Sequence, residues 1–189
     1  MSSILMPFFQ SPAILMVASR ELGWHNRNTK EGKSGARELL LTILVTLVAV
    51  ALCNAVHFFS LRQLAFVFRE FPPPIRRPML VVSFAVIVIH LIEVAIYAVS
   101  MWLLSTWERG VLLVPGEPPI SSPTEFFYFS IASYTTLGIG DIVPQGDLRV
   151  VVGIEALQGL ILIAWSASFT YLVMEKFWTR KDAVGLDDG

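Results

Sequence analysis

The stretch Thr135-Thr136-Leu137-Gly138-Ile139-Gly140-Asp141 has the residue types and spacing to do chemistry on a cation. Gly138 and Gly140 alternate with Leu137 and Ile139, and glycine adopts positive φ at little cost, so consecutive backbone carbonyls can be turned toward one axis. Rings of such oxygens replace the water shell of an ion. On this reading the carbonyls of Thr136, Leu137, Gly138 and Ile139 are the ligands, and the Thr136 hydroxyl adds one more at the inner end. Asp141, at the outer mouth, raises the local cation concentration through its field. G-x-G-D alone is ordinary loop sequence, so the surrounding elements must carry the reading.

Ionisable residues inside apolar runs form a second set. His90 and Glu93 lie three apart on one helical face, and Glu155 lies in the upper part of a later apolar segment. A charge at the centre of a bilayer costs about 2.5–3.5 kcal/mol or more, so these three mark an intramembrane polar site whose members face protein, pair or lose their charge. A proton-sensitive or cation-attracting site is one reading; an interhelical hydrogen bond that fixes the fold is the simpler one and is preferred. A metal centre needs three or four converging ligands, and His57, His90 and Glu93 with Glu155 supply them only if packing happens to bring them together. Gly159 is a candidate hinge for gating, or equally a site of close packing. Ser166, Ser168 and Thr170 either wet an inner cavity or bond back to carbonyls four residues earlier.

The elements that position these residues follow from composition and hydropathy. The chain is 54% hydrophobic and 15% charged, with mean hydropathy +0.65, against about 25% charged residues in soluble domains. It reads as an all-α membrane protein in a lipid bilayer. Net charge −1 gives no basic footprint for nucleic acid. The single cysteine, Cys53, excludes an intrachain disulfide.

Residues 1–37 read as an interfacial segment followed by a polar loop, and Pro7 and Pro12 argue against a cleaved signal peptide. Residues 38–61 form a first transmembrane helix, apolar all round. Residues 62–78, with Arg62, Arg69, Arg76 and Arg77 and three prolines, read as a basic cytoplasmic loop. A second span covers 79–107. Ser122-Pro123-Thr124-Glu125 carries a capping box and an N1 proline, which starts a helix over 123–134. That helix is roughly 18 Å long, too short to span, and its C-terminal end points a partial negative charge at the membrane centre. The last span covers 148–177, with Gly153, Ala156 and Gly159 permitting close contact, and 178–189 is a short cytoplasmic tail. The positive-inside rule places the C-terminus inside and the N-terminus outside, although Arg20, Arg27, Lys30, Lys33 and Arg37 weigh against the latter.

Over residues 79–177 this arrangement resembles the pore module of the potassium-channel superfamily, whose filter usually reads T-T-V-G-Y-G-D. The likeness is to small prokaryotic two-transmembrane-pore channels, with residues 38–61 as an extra helix. The resemblance implies an outer helix (79–107), a pore helix (123–134), a filter (135–141) and an inner helix (148–177), assembled as a homotetramer that conducts dehydrated potassium ions. It implies K⁺ held by the carbonyls of Thr136, Leu137, Gly138, Ile139 and Gly140 and by the Thr136 hydroxyl. Thr135, Asp141, Tyr128 and Phe129 then support the filter and its outer mouth.

Leu137 and Ile139 depart from the usual Val and Tyr. Phe129 stands where many such channels have a tryptophan that bonds that tyrosine, so an apolar Phe129–Ile139 contact is expected instead. Tyr128 stands where a second tryptophan often bonds the filter aspartate, and its hydroxyl can still reach Asp141.

The expected function is a tetrameric, potassium-selective cation channel in the cell membrane, with permeant monovalent cations as its ligands, no cofactor and no enzymatic activity. A weakly selective sodium and potassium channel, or a non-conducting scaffold with a channel-like fold, is the alternative. No regularly spaced arginines suggest a voltage sensor, and the residues after Phe177 are too few for a ligand-binding domain.

Overall fold

The computed structural model describes residues 12–70 and 78–185, with side chains described for 39–68 and 79–176. Its elements, in order, are α1 (Pro12–Glu70), α2 (Pro78–Thr106), β1 (Leu112–Leu113), α3 (Pro123–Tyr134), β2 (Val143–Pro144) and α4 (Leu148–Gly185). Leu39–Phe68, Met79–Thr106 and Leu148–Lys176 are each long and apolar enough to cross a membrane.

Two compact units divide the chain, residues 1–41 and 42–189. Over its described part the first unit is the N-terminal portion of α1. Residues 21–35, expected as a loop, are therefore helical. No proline falls between Pro12 and Pro72, and Gly23, Gly32 and Gly35 cost a helix only about 1 kcal/mol each without removing a donor. The interfacial segment expected at the start lies, over residues 1–11, outside the described residues.

The first span is longer than expected. α1 continues through Arg62, because Leu64-Ala65-Phe66-Val67-Phe68 renews the apolar run behind it, and only 71–77 of the expected basic loop lies outside the described residues. Nor is α1 apolar on every side. Thr42, Thr46, Ala49, Cys53, His57 and Leu61 recur every three or four residues and are all buried, whereas Leu40, Leu44 and Leu47 face outward.

In the second unit α2 packs against both α3 and α4. The core joins Ala49 and Cys53 of α1 to Tyr97, Ala98, Met101 and Leu104 of α2, Phe126 and Phe129 of α3, and Leu148, Val151 and Leu162 of α4. Outside this core Leu80, Phe84, Leu157 and Leu160 are more than half exposed. Apolar area on this scale is what lipid or a neighbouring subunit covers.

α3 starts at Pro123 as expected, but the capping box does not form. The Ser122 hydroxyl pairs with that of Thr124 at 2.7 Å, and no side chain caps the helix. The Ser122 carbonyl instead takes the Glu125 and Phe126 amides. Beyond the stretch 135–141, the antiparallel pair β1–β2 matches Leu112 with Pro144 and Leu113 with Val143. The Gln145 and Asp147 amides bond the Val111 and Arg109 carbonyls, so the chain leaving the stretch is fastened to the chain leaving α2. These two-residue strands carry no hydropathy signal of their own.

At Gly159 α4 meets the end of α3. A Cβ built there would lie 2.2 Å from the Tyr134 carbonyl oxygen, far inside van der Waals contact and against backbone that cannot step aside. Gly159 thus packs closely against the end of α3, in a helix unbroken from Leu148 to Gly185. Gly159→Ala is expected to destabilise the fold by about 1–3 kcal/mol, the usual cost of overpacking. Thermal unfolding in detergent checks this, and an unchanged midpoint would contradict the packing.

Candidate functional site: an exposed carbonyl loop and the buried network behind it

α3 ends at Tyr134, and the next residues reverse direction on short bonds to its last turn. The Thr136 amide bonds the Ser133 carbonyl at 2.9 Å, and the Leu137 and Gly138 amides share the Ala132 carbonyl at 2.9 and 3.3 Å. These contacts satisfy carbonyls that a helix C-terminus otherwise leaves open. From there φ alternates in sign: positive at Thr136 (58°), Gly138 (56°) and Gly140 (86°), and not at Leu137 or Ile139. In an extended strand successive carbonyls point to opposite sides; alternating handedness is the condition for them to share one. Thr136 is β-branched, so its positive φ costs of order 1–2 kcal/mol, strain of the kind that concentrates at functional sites.

Among the described residues, no hydrogen bond reaches the carbonyl oxygens of Thr136, Leu137, Gly138, Ile139 or Gly140. The Thr136 hydroxyl is likewise without a partner there, whereas the Thr135 hydroxyl bonds back to the Ile131 carbonyl at 2.7 Å. Every residue from Thr135 to Asp141 is exposed. The loop is thus a row of free oxygen acceptors held by α3 at one end and by β2 at the other.

At the far end of the stretch the Tyr128 hydroxyl donates to Asp141 Oδ2 at 2.8 Å, and Asp141 Oδ1 accepts the Ile142 amide at 3.0 Å. Accepting the hydroxyl, Asp141 raises the Tyr128 phenol above its ordinary value. The phenol therefore stays protonated, and the bond made, up to a higher pH than a free tyrosine allows; it is lost as pH rises further. Phe129 and Ile139 line a common cleft with Ala132, Val152 and Ala156, but Ile139 is 54% exposed. Among the described residues nothing covers its exposed side.

Behind the loop the four helices meet in polar groups. Glu93 of α2 receives His57 Nδ1 of α1 on Oε1 at 2.8 Å. Its Oε2 receives His90 Nδ1 at 2.9 Å and the Tyr134 hydroxyl of α3 at 2.5 Å. On the far side of His57, Nε2 faces the Ser166 hydroxyl of α4 at 3.4 Å, and the Trp165 ring lies 5.3 Å away. Three donors against two oxygens match a carboxylate.

His90 and Glu93 thus come together as their spacing suggested, but Glu155 stands apart from them. Glu155 Oε1 accepts the Ser130 hydroxyl, and its Oε2, also buried, has no partner among the described residues. Tyr97 bonds Gln158, whose amide reaches the Val50 carbonyl at 3.0 Å. Ser168 and Thr170 bond back to Ala164 and Ser166.

Tyr134, Ser130 and Gln158 carried no sequence signal, since a hydroxyl or amide within an apolar run does not announce its partner. His57 did carry one. It continues the three- and four-residue stripe of small and polar residues along α1 that also includes Thr42, whose hydroxyl reaches Asp147 Oδ2 at 2.9 Å.

Residues 80–176 match the sequence model of a family described as an ion channel, slightly more than half of the chain. Among curated proteins and among solved structures, nothing matches the chain.

Removing the Tyr134 hydroxyl isolates one arm of the network. Hydrogen bonds inside membranes average about 0.6 kcal/mol and reach about 1.7, while bonds to ionised acceptors run about 1.5–3. Tyr134→Phe is accordingly expected to cost about 1.5 kcal/mol. Ser168→Ala, which removes only a bond within α4, is expected to cost less than half of that. Equal midpoints for the two variants in detergent unfolding would contradict the role given to Glu93.

Proposed function

The chain belongs to this ion-channel family, a two-transmembrane pore family and here a multi-pass membrane protein, and from that premise we propose that it is a homotetrameric, potassium-selective channel. Residues 135–141 form its filter, α3 is the pore helix, α2 the outer helix and α4 the inner helix. The observation that carries this reading is the run of five carbonyls of exposed residues, Thr136 to Gly140, that accept no hydrogen bond among the described residues and lie in backbone of alternating φ sign. One chain supplies one oxygen at each level. A dehydrated ion needs a ring of them, so several chains must surround one axis, four by likeness to such channels.

Exposure of Leu137 and Ile139, at 66% and 54%, supports that arrangement. Apolar side chains beside a hydrated pore are stable only if neighbouring subunits enclose them. Asp141, held by Tyr128, keeps a negative charge at the outer mouth, and the Thr136 hydroxyl supplies the innermost ligand. Ion flux is passive and no bond is made or broken, so the protein is a conductor and not an enzyme. The Thr42–Asp147 bond supports α1 entering the bilayer from the filter side, with the N-terminus outside the cell membrane and the C-terminus in the cytoplasm.

Purified protein in liposomes is expected to pass potassium and to pass sodium much more slowly. Equal sodium flux would make it a weakly selective cation channel, the outcome that the apolar Phe129–Ile139 cleft would then explain; no flux would make it a scaffold. In Gly140→Ala an L residue must hold φ near +86°, at a cost of about 1–2 kcal/mol, roughly tenfold in the population of the conducting backbone. Potassium flux is expected to fall by about that factor while the tetramer persists on gel filtration. Undiminished flux would remove residues 135–141 from the pathway.

A further inference from the structure

Four helices converge on a group of ligands that ion conduction along the filter does not use. We propose that His57, His90 and Glu93 bind one divalent transition-metal ion of the zinc class per chain, tying α1 to α2 beside the C-terminal end of α3. Two imidazoles and a carboxylate are the donor set that such ions take. One ligand atom from each lies within 4.8 Å of the others. Bonds of about 2.0–2.1 Å in a tetrahedral site set ligand atoms about 3.3 Å apart. The nitrogen–oxygen separations are 2.8 Å from His57 to Oε1 and 2.9 Å from His90 to Oε2, each about half an ångström short of that spacing, so an ion in place of the shared protons takes both carboxylate oxygens or one oxygen after a turn of the Glu93 carboxyl.

The surroundings meet the further demands of a metal site. A ligating histidine offers its other ring nitrogen to an outer partner, which sets the tautomer. His57 Nε2 faces the Ser166 hydroxyl at 3.4 Å, so an ion at Nδ1, in place of the proton given to Glu93 Oε1, leaves Nε2–H to donate to Ser166. The Tyr134 hydroxyl steadies Glu93 Oε2 at 2.5 Å and lies 2.9 Å from His90 Nδ1, within reach of a fourth position.

Access and charge are also provided for. His57 and Glu93 are sealed, but the His90 side chain is 18% exposed and lines a cleft between α2 and α4 together with Ser83, Ser166 and Thr170. The site abuts the last residue of α3, where the helix dipole presents partial negative charge. That charge offsets part of the positive charge a divalent ion brings to a site with a single carboxylate.

The test uses the full chain in detergent, stripped with chelator and titrated with Zn²⁺ by calorimetry and with Co²⁺ by visible absorption. One ion per chain is expected, with a Co²⁺ spectrum of low-symmetry four-coordination, and the affinity is expected to fall at least ~100-fold in His90→Gln, beyond the 10–100-fold typical of outer-sphere changes. Circular dichroism and gel filtration show whether that variant folds. X-ray absorption at the zinc edge of the loaded wild type needs no variant and is expected to find two imidazole nitrogens at about 2.0–2.1 Å. No binding by the wild type, an unchanged affinity in folded His90→Gln, or a zinc shell without imidazole would each overturn the proposal and leave a proton as the bridging cation.

Discussion

A carboxylate buried among apolar helices is costly unless it is paired, and the pairing of Glu93 ties together the helices of the membrane-spanning part of the chain. Its partners come from α1, from α2 itself and from the end of α3, and Ser166 extends the set to α4 through His57. Replacing such a cluster with well-packed apolar groups can be neutral, but removing one member leaves polar atoms stranded in low dielectric. The network therefore selects one arrangement of helices over others that would bury comparable apolar area, which hydrophobic packing alone does not do where lipid is as apolar as leucine.

That selection bears directly on the carbonyl loop. Tyr134 both donates to Glu93 and presents the carbonyl against which Gly159 packs, and the loop begins at the next residue. α3 is only twelve residues long, and its terminal carbonyls, like those of any helix end, need partners. The amides of Thr136, Leu137 and Gly138 supply them. Using those amides turns the backbone into alternating handedness and leaves the following carbonyls free. The short helix and the acceptor row are thus one construction, and the β1–β2 pair with its flanking amide bonds fastens the far end.

Membership of the ion-channel family covers residues 80–176, yet α1 is built into the same core. Ala49 and Cys53 sit in it, Val50 receives the Gln158 amide, and His57 completes the Glu93 cluster. The additional helix is in this respect part of the pore unit's packing. Its outward face, Leu40, Leu44 and Leu47, is left for lipid or for a neighbouring chain.

Hydropathy was enough to read three spans, Ser122-Pro123 marked the start of a short helix, and Gly138 and Gly140 marked a stretch able to turn its carbonyls, because each signal lies in residues close together in sequence. The bond from Tyr128 to Asp141 was expected from the likeness to channel filters, in which a residue at that position bonds the filter aspartate, and the structure shows it at 2.8 Å. The helical path through residues 21–35 and the span past Arg62 were not legible, since glycines and a lone arginine weaken a helix without ending it. The buried stripe from Thr42 to His57 was present in the sequence but hidden, its small polar residues being apolar enough to pass for a lipid-facing run. Only the tertiary structure decided that His57 joins His90 and Glu93 while Glu155 turns to Ser130. Rotation and register of one helix against another are set by packing among residues 36 to 109 positions apart, and nothing in the local sequence of either partner specifies them.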